Sequence, residues 1–266
     1  MSEDMTFEEF KQHLTNLTPD GDFSFGFNWL DYVNTRMNDD IINKHISNLQ
    51  KIYGDFNFKG KSVYDIGSGS GLSSLSFAKL GCNKILSVDV DPYSVEATAL
   101  TKEKFSPPGI EWTVKKHSIL DDPITAPNSF DIVYSWGVLH HTGNMWQAIK
   151  NTIPMVKSGG CFHVALYRSG PVLMQHLEDK FRYKFASREE KMKILYDRKK
   201  SRNFTDIDSR GMNKFHNAID WLGGLPYEVC DPEVLFAFLK QNGFEDPMYF
   251  KDKKDGGCFI AIIKKK

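Results

Sequence analysis

One nine-residue stretch constrains the fold of this chain more than any other. It reads VYDIGSGSG over residues 63–71, and a helix-like segment follows from Leu72 to Leu80. A short apolar strand that runs into alternating glycines and then a helix is typical of nucleotide-binding α/β folds. Glycine lets the backbone turn sharply and approach a ligand, and the free N–H groups at the start of the helix add donors for it.

Strand-like and helix-like segments alternate after this loop. Helices of about ten to fifteen residues between strands imply right-handed crossovers and a parallel sheet. We predict strands over residues 61–66, 84–89, 110–116, 130–135, 161–167, 248–250 and 258–263. We predict helices over residues 7–17, 38–52, 72–80, 92–105, 144–156, 171–200 and 231–242, and irregular structure over 201–230.

Composition places the chain among globular proteins. Hydrophobic residues make up 41% of it and charged residues 26%, and 34 basic residues balance 34 acidic ones. A zero formal charge argues against a surface built for nucleic acid, so no nucleic-acid partner is expected. No apolar run reaches the about 20 residues of a membrane helix, and the acidic start MSEDMTFEEF lacks a signal-peptide pattern. We therefore predict a cytoplasmic protein without a membrane partner, and the sequence does not indicate an oligomeric state.

Three details of the glycine loop narrow its ligand. Leu72 stands where the dinucleotide fingerprint GxGxxG has its third glycine, and no Gly-Lys-Ser/Thr follows as in a phosphate-binding P-loop. Asp65, at the strand tip, would repel a pyrophosphate and suits a positively charged amine. Asp89, at the end of the next strand, is placed to accept hydrogen bonds from a ribose diol. A ribose-bearing ligand with a cationic amino-acid end and no phosphate describes S-adenosyl-L-methionine.

Four motifs within residues 61–167 resemble those of the class I S-adenosylmethionine-dependent methyltransferases. They read VYDIGSGSGLSSLSFAKLG, ILSVDVDPYSV, HSILDD and FDIVYSWGVLHHTGNMWQAI. The chain is also similar to a group of small-molecule or ubiquinone-type methylases. Some of these carry an FxFGxNW-like segment, here residues 23–29, and a late RGM…DWLGGxPYE segment, here residues 210–228. The resemblance implies a Rossmann-like, doubly wound α/β fold with seven strands in the order 3-2-1-4-5-7-6 and strand 7 antiparallel.

The resemblance and the segment pattern together divide the chain into four parts. Residues 1–60 are expected to form an N-terminal helical segment, and residues 61–168 the Rossmann-like core that binds the cofactor. Residues 169–244 are expected to form a substrate cap insertion with the last helix, and residues 245–266 the closing strands of the core sheet.

The resemblance also assigns residues to the cofactor. Ser118 stands where the family more often has aspartate. The resemblance implies that the methionine part contacts Asp65, Gly67, Ser68, Gly69 and Gly71, and that the ribose contacts Asp89. It implies that the adenine contacts Val90, Ser118 and Ile119, and that the methyl group lies near Ser135 and Trp136.

Methyl transfer requires little acid–base catalysis from the protein. The nucleophile must be aligned opposite the sulfur, and a base is needed only where the nucleophile carries a proton. His140, directly after Val138-Leu139, is the first candidate base, and His141 is a weaker one. The alternative for His140 is a local hydrogen bond at the entry of the next helix. Asp220 is a second candidate catalytic residue.

A further group of residues is a candidate for binding the acceptor. Rings and carboxylates around a Gly-Gly-Leu-Pro turn suit a cationic or hydroxylated compound. The alternative is a structural turn with core aromatic residues. The candidates are Trp29, Arg210, Trp221, Tyr227 and Glu228.

These observations together predict an enzyme, a transferase that moves a methyl group from S-adenosylmethionine to a small or medium-sized metabolite. One alternative is an RNA or protein methyltransferase that uses the basic segment Lys191–Arg202, which could equally be a solvated helix face. Another is a non-catalytic, cofactor-binding regulatory protein. The four cysteines lie far apart without a CxxC pair, so neither a disulfide framework nor a metal is expected.

Overall fold

The computed structural model describes residues 6–9, 11–12, 25–201, 214–252 and 257–266. Its strands are β1 (Ser62–Ile66), β2 (Lys84–Asp89), β3 (Glu111–Lys116), β4 (Phe130–Trp136), β5 (Val156–Tyr167), β6 (Phe244–Lys251) and β7 (Cys258–Lys265). Its longer helices are α1 (Phe25–Thr35), α2 (Asp39–Tyr53), α3 (Leu72–Lys79), α4 (Pro92–Phe105), α5 (Met145–Thr152), α6 (Leu173–Phe185), α7 (Arg188–Ser201), α8 (Lys214–Gly223) and α9 (Pro232–Gln241). Residues 7–9 and 11–12 are helical as well, and the rest of the helix predicted over 7–17 lies outside the described residues.

The seven strands form one sheet in the order β3-β2-β1-β4-β5-β7-β6. The strands from β1 to β5 pair in parallel, and β7 runs antiparallel to both of its neighbours. The predicted Rossmann-like, doubly wound sheet with an antiparallel seventh strand is therefore confirmed. Every residue of β1 is buried, as expected for a central strand that helices cover on both faces.

Local sequence sets where the helices of this fold begin and end. The Asn38 side chain accepts a hydrogen bond of 3.0 Å from the Ile41 N–H and caps α2. Asp91 accepts one of 2.8 Å from the Tyr93 N–H, with Pro92 in the first position of α4. After α5 a 3₁₀ turn and then β5 replace the helix predicted up to residue 156. Pro154 in that turn has no N–H to continue a helix.

The core has one layer on each face of the sheet and a third part in the cap. Alternate residues of the central strands point to opposite faces, so Val63 belongs to the layer under α1–α3 and Tyr64 to the layer under α5 and α9. A separate apolar cluster joins α6, α7 and α8. Its buried members are Tyr183, Met192, Leu195, Phe215, Ile219 and Leu222.

Helix α8 corrects one expectation from the sequence. Residues 201–230 were expected to be irregular because Gly, Asn and Asp are frequent there, and this is wrong for α8. Phe215, Ile219 and Leu222 recur at helical spacing and are buried against α6 and α7, so packing outweighs the polar composition. The four-part division of the chain remains a prediction. None of the described helices combines the length and the apolar character needed to cross a membrane.

Candidate active site

The glycine loop between β1 and α3 is closely approached from two sides. Gly67, Gly69 and Gly71 have φ angles of 75°, 53° and 75°, a region that side-chain-bearing residues rarely adopt. A Cβ at Gly67 would lie 2.3 Å from Val138 Cγ2, and one at Gly69 would lie 3.2 Å from Trp29 Nε1. Both conformation and space therefore require glycine here.

Asp89 lies at the carboxyl end of β2, beside this loop. One carboxylate oxygen accepts the Gly69 N–H and the other accepts the Asp91 N–H, each at 3.0 Å. Burial raises the pKa of Asp89, while these backbone donors act in the opposite direction. Each oxygen keeps a second lone pair, so the carboxylate can still accept hydrogen bonds from a ligand diol.

Asp65 lies beneath the loop, at the end of a buried chain of hydrogen bonds. Ser74 Oγ donates to Asp65 at 2.6 Å and lies 2.7 Å from Ser87 Oγ, which accepts the Trp112 indole N–H at 2.8 Å. Asp65 itself is only 1% exposed. Burial raises its pKa to about 7, and the charge of Asp89 adds to that rise.

Two serines predicted at the cofactor are held by the protein itself. Ser68 Oγ lies 2.9 Å from Thr98 Oγ1 on α4, which fixes the loop against that helix. Ser135 Oγ donates to the Ile66 carbonyl at 3.3 Å, so the end of β4 is tied to the end of β1. Trp136 follows at the last position of β4 and is half-buried.

The predicted adenine residues lie at the ends of β2 and β3. Val90 is 59% exposed next to Asp89, whereas Ile119 is buried. Ser118 Oγ accepts the Leu120 N–H at 3.1 Å, and this bond shapes the turn after β3. The exposed apolar side chain at the end of β2 offers a surface for a flat ring.

These features fit S-adenosylmethionine. Asp89 keeps acceptor capacity at the ribose position, and the glycine loop lies beside it. The loop sequence DIGSGSG contains no lysine or arginine for a phosphate.

A cluster of rings lies beyond the carboxyl ends of β4 and β5. The His140 ring centroid is 4.3 Å from those of His141 and Tyr167, and the Tyr167 centroid is 4.8 Å from that of Tyr227. The Tyr227 hydroxyl lies 3.1 Å from His176 Nδ1 on α6. Parallel strands that end at the same edge bring these groups together from segments far apart in sequence.

The two neighbouring histidines are not equivalent. His141 Nδ1 lies 2.6 Å from the Pro226 carbonyl oxygen, which can only accept, so Nδ1 carries the proton and Nε2 keeps its lone pair. Burial lowers the pKa of His141 to about 4. His140 is fully buried, and within the described part of the chain neither of its ring nitrogens has a hydrogen-bond partner. Burial holds its pKa well below the ordinary range, so both rings are neutral at pH 7.

Lys180 on α6 lies in the same cluster. Its side chain is fully buried, and its Nζ donates to the backbone carbonyls of Trp221 and Gly224. The ammonium also lies 4.7 Å from the Trp221 ring centroid and 4.8 Å from that of Tyr227. Asp220, the other candidate catalytic residue, precedes Trp221 on α8, and its negative charge acts on Lys180.

Four of the five residues predicted at the acceptor are among the described residues, and they occupy three different places. Trp221 and Tyr227 lie together in the ring cluster, whereas Trp29 lies on the glycine loop. Both Glu228 carboxylate oxygens, at 3.1 and 3.2 Å, accept the N–H of Met145, the first residue of α5. Arg210 lies outside the described residues.

Sequence reasoning missed Lys180, Tyr167, His176 and Val138. Lys180 stands in LEDKFRYKF, a charged helical segment that resembles a solvated face, and no spacing signals its burial. Tyr167 could have been found, because it ends a predicted strand at the edge where parallel-sheet ligands bind. His163 in β5 lies outside this cluster, with its Nδ1 3.1 Å from the Tyr53 hydroxyl.

The sheet order, the glycine loop and Asp89 together define a class I S-adenosylmethionine-dependent methyltransferase domain, with S-adenosylmethionine as its cofactor. Comparison with known families agrees, because residues 64–164 match the family described as a methyltransferase domain. The match therefore supports a class I methyltransferase domain over these residues.

Comparison with individual proteins gives short sequence matches and broad structural ones. The chain is 43% identical over 51 residues to a ribosomal protein L11 methyltransferase of Leptospira interrogans. The matched stretch is 19% of this chain and only 17% of that protein. A magnesium protoporphyrin IX methyltransferase of Synechocystis with bound SAH has a TM-score of 0.54 at 14% identity, covering 96% and 94% of the two chains. A SAM-dependent methyltransferase of Aquifex aeolicus has a TM-score of 0.51 at 12% identity, covering 91% and 98%. At such identities the structures share the fold.

Proposed function

We propose that this chain transfers a methyl group from S-adenosylmethionine to a small or medium-sized metabolite. The proposal rests on the cover that lies over the carboxyl ends of β4 and β5. There α6 and the turn after α8 pack aromatic rings and a buried lysine against His140 and His141. An enclosed, ring-lined site suits a small acceptor. A base in RNA or a side chain of a folded protein would first have to be extruded to enter such a site, which costs free energy.

The residues of this chain contribute alignment more than acid–base chemistry. The cofactor, when bound, supplies a methyl group on a positively charged sulfur. The glycine loop and Asp89 would hold the nucleoside and amino-acid ends, and Trp136 at the end of β4 would border the reacting end. The cover would keep the acceptor in line and exclude water, which accounts for much of the rate in such a displacement.

His140 is the proposed base for an acceptor that carries a proton at pH 7, and Asp220 is the second proposed catalytic residue. A neutral imidazole can accept a proton, and burial keeps His140 neutral. The support for His140 is that its two ring nitrogens have no partner among the described residues, so an acceptor bound against the ring would supply the missing hydrogen-bond partner.

A labelling experiment tests the proposed function. The purified chain is incubated with methyl-labelled cofactor and with separate metabolite, RNA and protein fractions of a cell extract. We expect label in a small product, and none when Asp89→Ala replaces the wild type. Label that enters only RNA or protein would refute the metabolite proposal, and cofactor binding without turnover on any fraction would favour a regulatory role.

One observation favours the protein alternative. The curated relatives named above act, by name, on a ribosomal protein, although the match covers 19% of this chain. The basic segment on α7 gives little support to a nucleic-acid surface. Arg198 pairs with Asp179 at 2.6 Å, and Lys191 lies 5.9 Å from the Tyr183 ring.

A further inference from the structure

Lys180 is a buried cation at the proposed acceptor site, and sequence analysis assigned it no role. We propose that Lys180 binds an anionic oxygen of the methyl acceptor, either a carboxylate or an ionised hydroxyl group. The inference rests on the proposed function, because it assigns a chemical class to the acceptor of the same site.

The first argument is the set of contacts made by the ammonium. The Lys180 side chain has no exposed surface, and among the described residues it forms no ion pair. Two of its three N–H donors reach the carbonyls of Trp221 and Gly224. Carbonyl dipoles satisfy these donors, and the negative charge of Asp220 acts on the ammonium without forming an ion pair with it. A buried charge that lacks a direct ion pair is costly until a counter-charge approaches.

The second argument is the packing beside the ammonium. A Cβ at Gly224 would lie 2.7 Å from His141 Cε1 and 3.1 Å from Lys180 Nζ. Glycine therefore lets the imidazole and the ammonium pack directly against the same stretch of backbone, where any side chain would collide with them. The rings of Tyr167 and Tyr227, with centroids 5.7 and 4.8 Å from Nζ, line this place with flat apolar faces.

The third argument is the charge around the ammonium. Burial is the largest effect and lowers the pKa of Lys180 to about 8, while Asp220 and Cys258 oppose the fall and Arg198 adds to it. Burial keeps His140 and His141 neutral at pH 7. Lys180 therefore remains mostly protonated at pH 7. A cationic acceptor, one of the two classes expected from the sequence, is disfavoured next to it, and the hydroxylated class is retained.

The fourth argument is the distance from the cofactor loop. Val138 contacts the Gly67 position, and His141 follows three residues later in a 3₁₀ turn. At about 2 Å per residue this turn spans about 6 Å. An acceptor with one oxygen on Lys180 would therefore need only the length of a small molecule to extend to the glycine loop.

Two probes test the inference on the folded chain saturated with S-adenosylhomocysteine. Para-nitrophenol changes colour when its hydroxyl ionises, and benzoate is a carboxylate of similar size. We expect one or both to bind saturably, and Lys180→Met to weaken that binding at least about tenfold. Lys184→Met is the matched control, since Lys184 is exposed one turn further along α6, and it should leave probe binding unchanged.

The probes separate the two sources of the anionic oxygen. Ionisation of para-nitrophenol on binding would favour a hydroxyl acceptor, and binding of benzoate alone would favour a carboxylate. Equal probe binding by wild type and Lys180→Met, or no binding by the wild type, would overturn the inference. Calorimetry with S-adenosylhomocysteine on both variants checks that the cofactor site is intact.

A measurement on the wild type covers the case in which Lys180→Met does not fold. Acetic anhydride acetylates lysine amines, and peptide mass spectrometry gives the rate at each site. Probe binding should slow acetylation of Lys180 at least several-fold and leave Lys184 unaffected, and equal rates with and without probe would contradict the inference. Failure of the proposed function would appear elsewhere, as label in RNA or protein in the transfer experiment.

Discussion

Replacing Asp65 by asparagine should stabilise the cofactor-free protein at high pH. Burial is the main cause that raises the pKa of Asp65 to about 7, and the ordinary value for aspartate is about 3.9. The folded protein then holds a proton on this carboxyl at pH values where the unfolded chain has lost it. Because the folded state binds more protons, this group makes stability fall as pH rises from about 4 through about 7.

The magnitude follows from the two pKa values. A difference of one in pKa corresponds to about 1.36 kcal/mol, so a difference of about three amounts to up to about 4 kcal/mol above pH 8. Asparagine has the shape of aspartate without the charge, and its amide oxygen can still accept the hydrogen bond from Ser74. The variant should therefore be more stable than the wild type by up to that amount at pH 8, and equally stable near pH 4.

Urea unfolding of the cofactor-free proteins at a series of pH values measures this difference. Asp55→Asn removes an exposed carboxylate and serves as the control, which should follow the wild-type curve. Parallel stability curves for wild type and Asp65→Asn, or a variant that is less stable at pH 8, would refute the reasoning. Adding S-adenosylhomocysteine should stabilise the wild type more than the variant if the charge of Asp65 serves the ligand amine.

Other predictions concern the loop and a helix end. Gly69→Arg, at a φ of 53° beside Trp29, should lower S-adenosylhomocysteine affinity at least about tenfold in calorimetry while circular dichroism stays unchanged. Asp89→Ala should do the same, and unchanged affinity in both variants would show that the site is misplaced. Glu228→Gln weakens the charged cap on the Met145 N–H and should lower the free energy of unfolding by about 0.5–1 kcal/mol, with no change in cofactor affinity. A change in acceptor specificity with unchanged stability would instead favour the substrate role predicted from the sequence.

The sheet could be predicted from the sequence because its signals are local. Glycine at left-handed positions, Pro92 at the start of a helix and Asp91 as its cap each act within a few residues. The strand order could not be predicted in this way, because no local signal specifies which strands pair. It was implied by the resemblance to a family and not by the spacing of the segments.

The acceptor end of the site could be predicted only in part, because its residues meet through packing of the cap. Lys180 stands in a segment rich in charges, and its burial depends on where α8 packs against α6. The sequence suggests that Glu228, next to Tyr227, contacts a ligand. In the structure its carboxylate instead accepts a hydrogen bond from the first N–H of α5. A carboxylate near an aromatic turn therefore does not distinguish a binding group from a helix cap.

Two helices that cover different ends of the site are joined by buried polar contacts. Asn28 Nδ2 donates to the His216 carbonyl at 2.9 Å, and His216 Nε2 lies 2.8 Å from an Asp31 carboxylate oxygen. Helix α1, which carries Trp29 onto the glycine loop, is thereby joined to α8, which carries Trp221 to Lys180. The covers of the two ends of the site are thus one hydrogen-bonded unit, and each helix satisfies buried polar groups of the other.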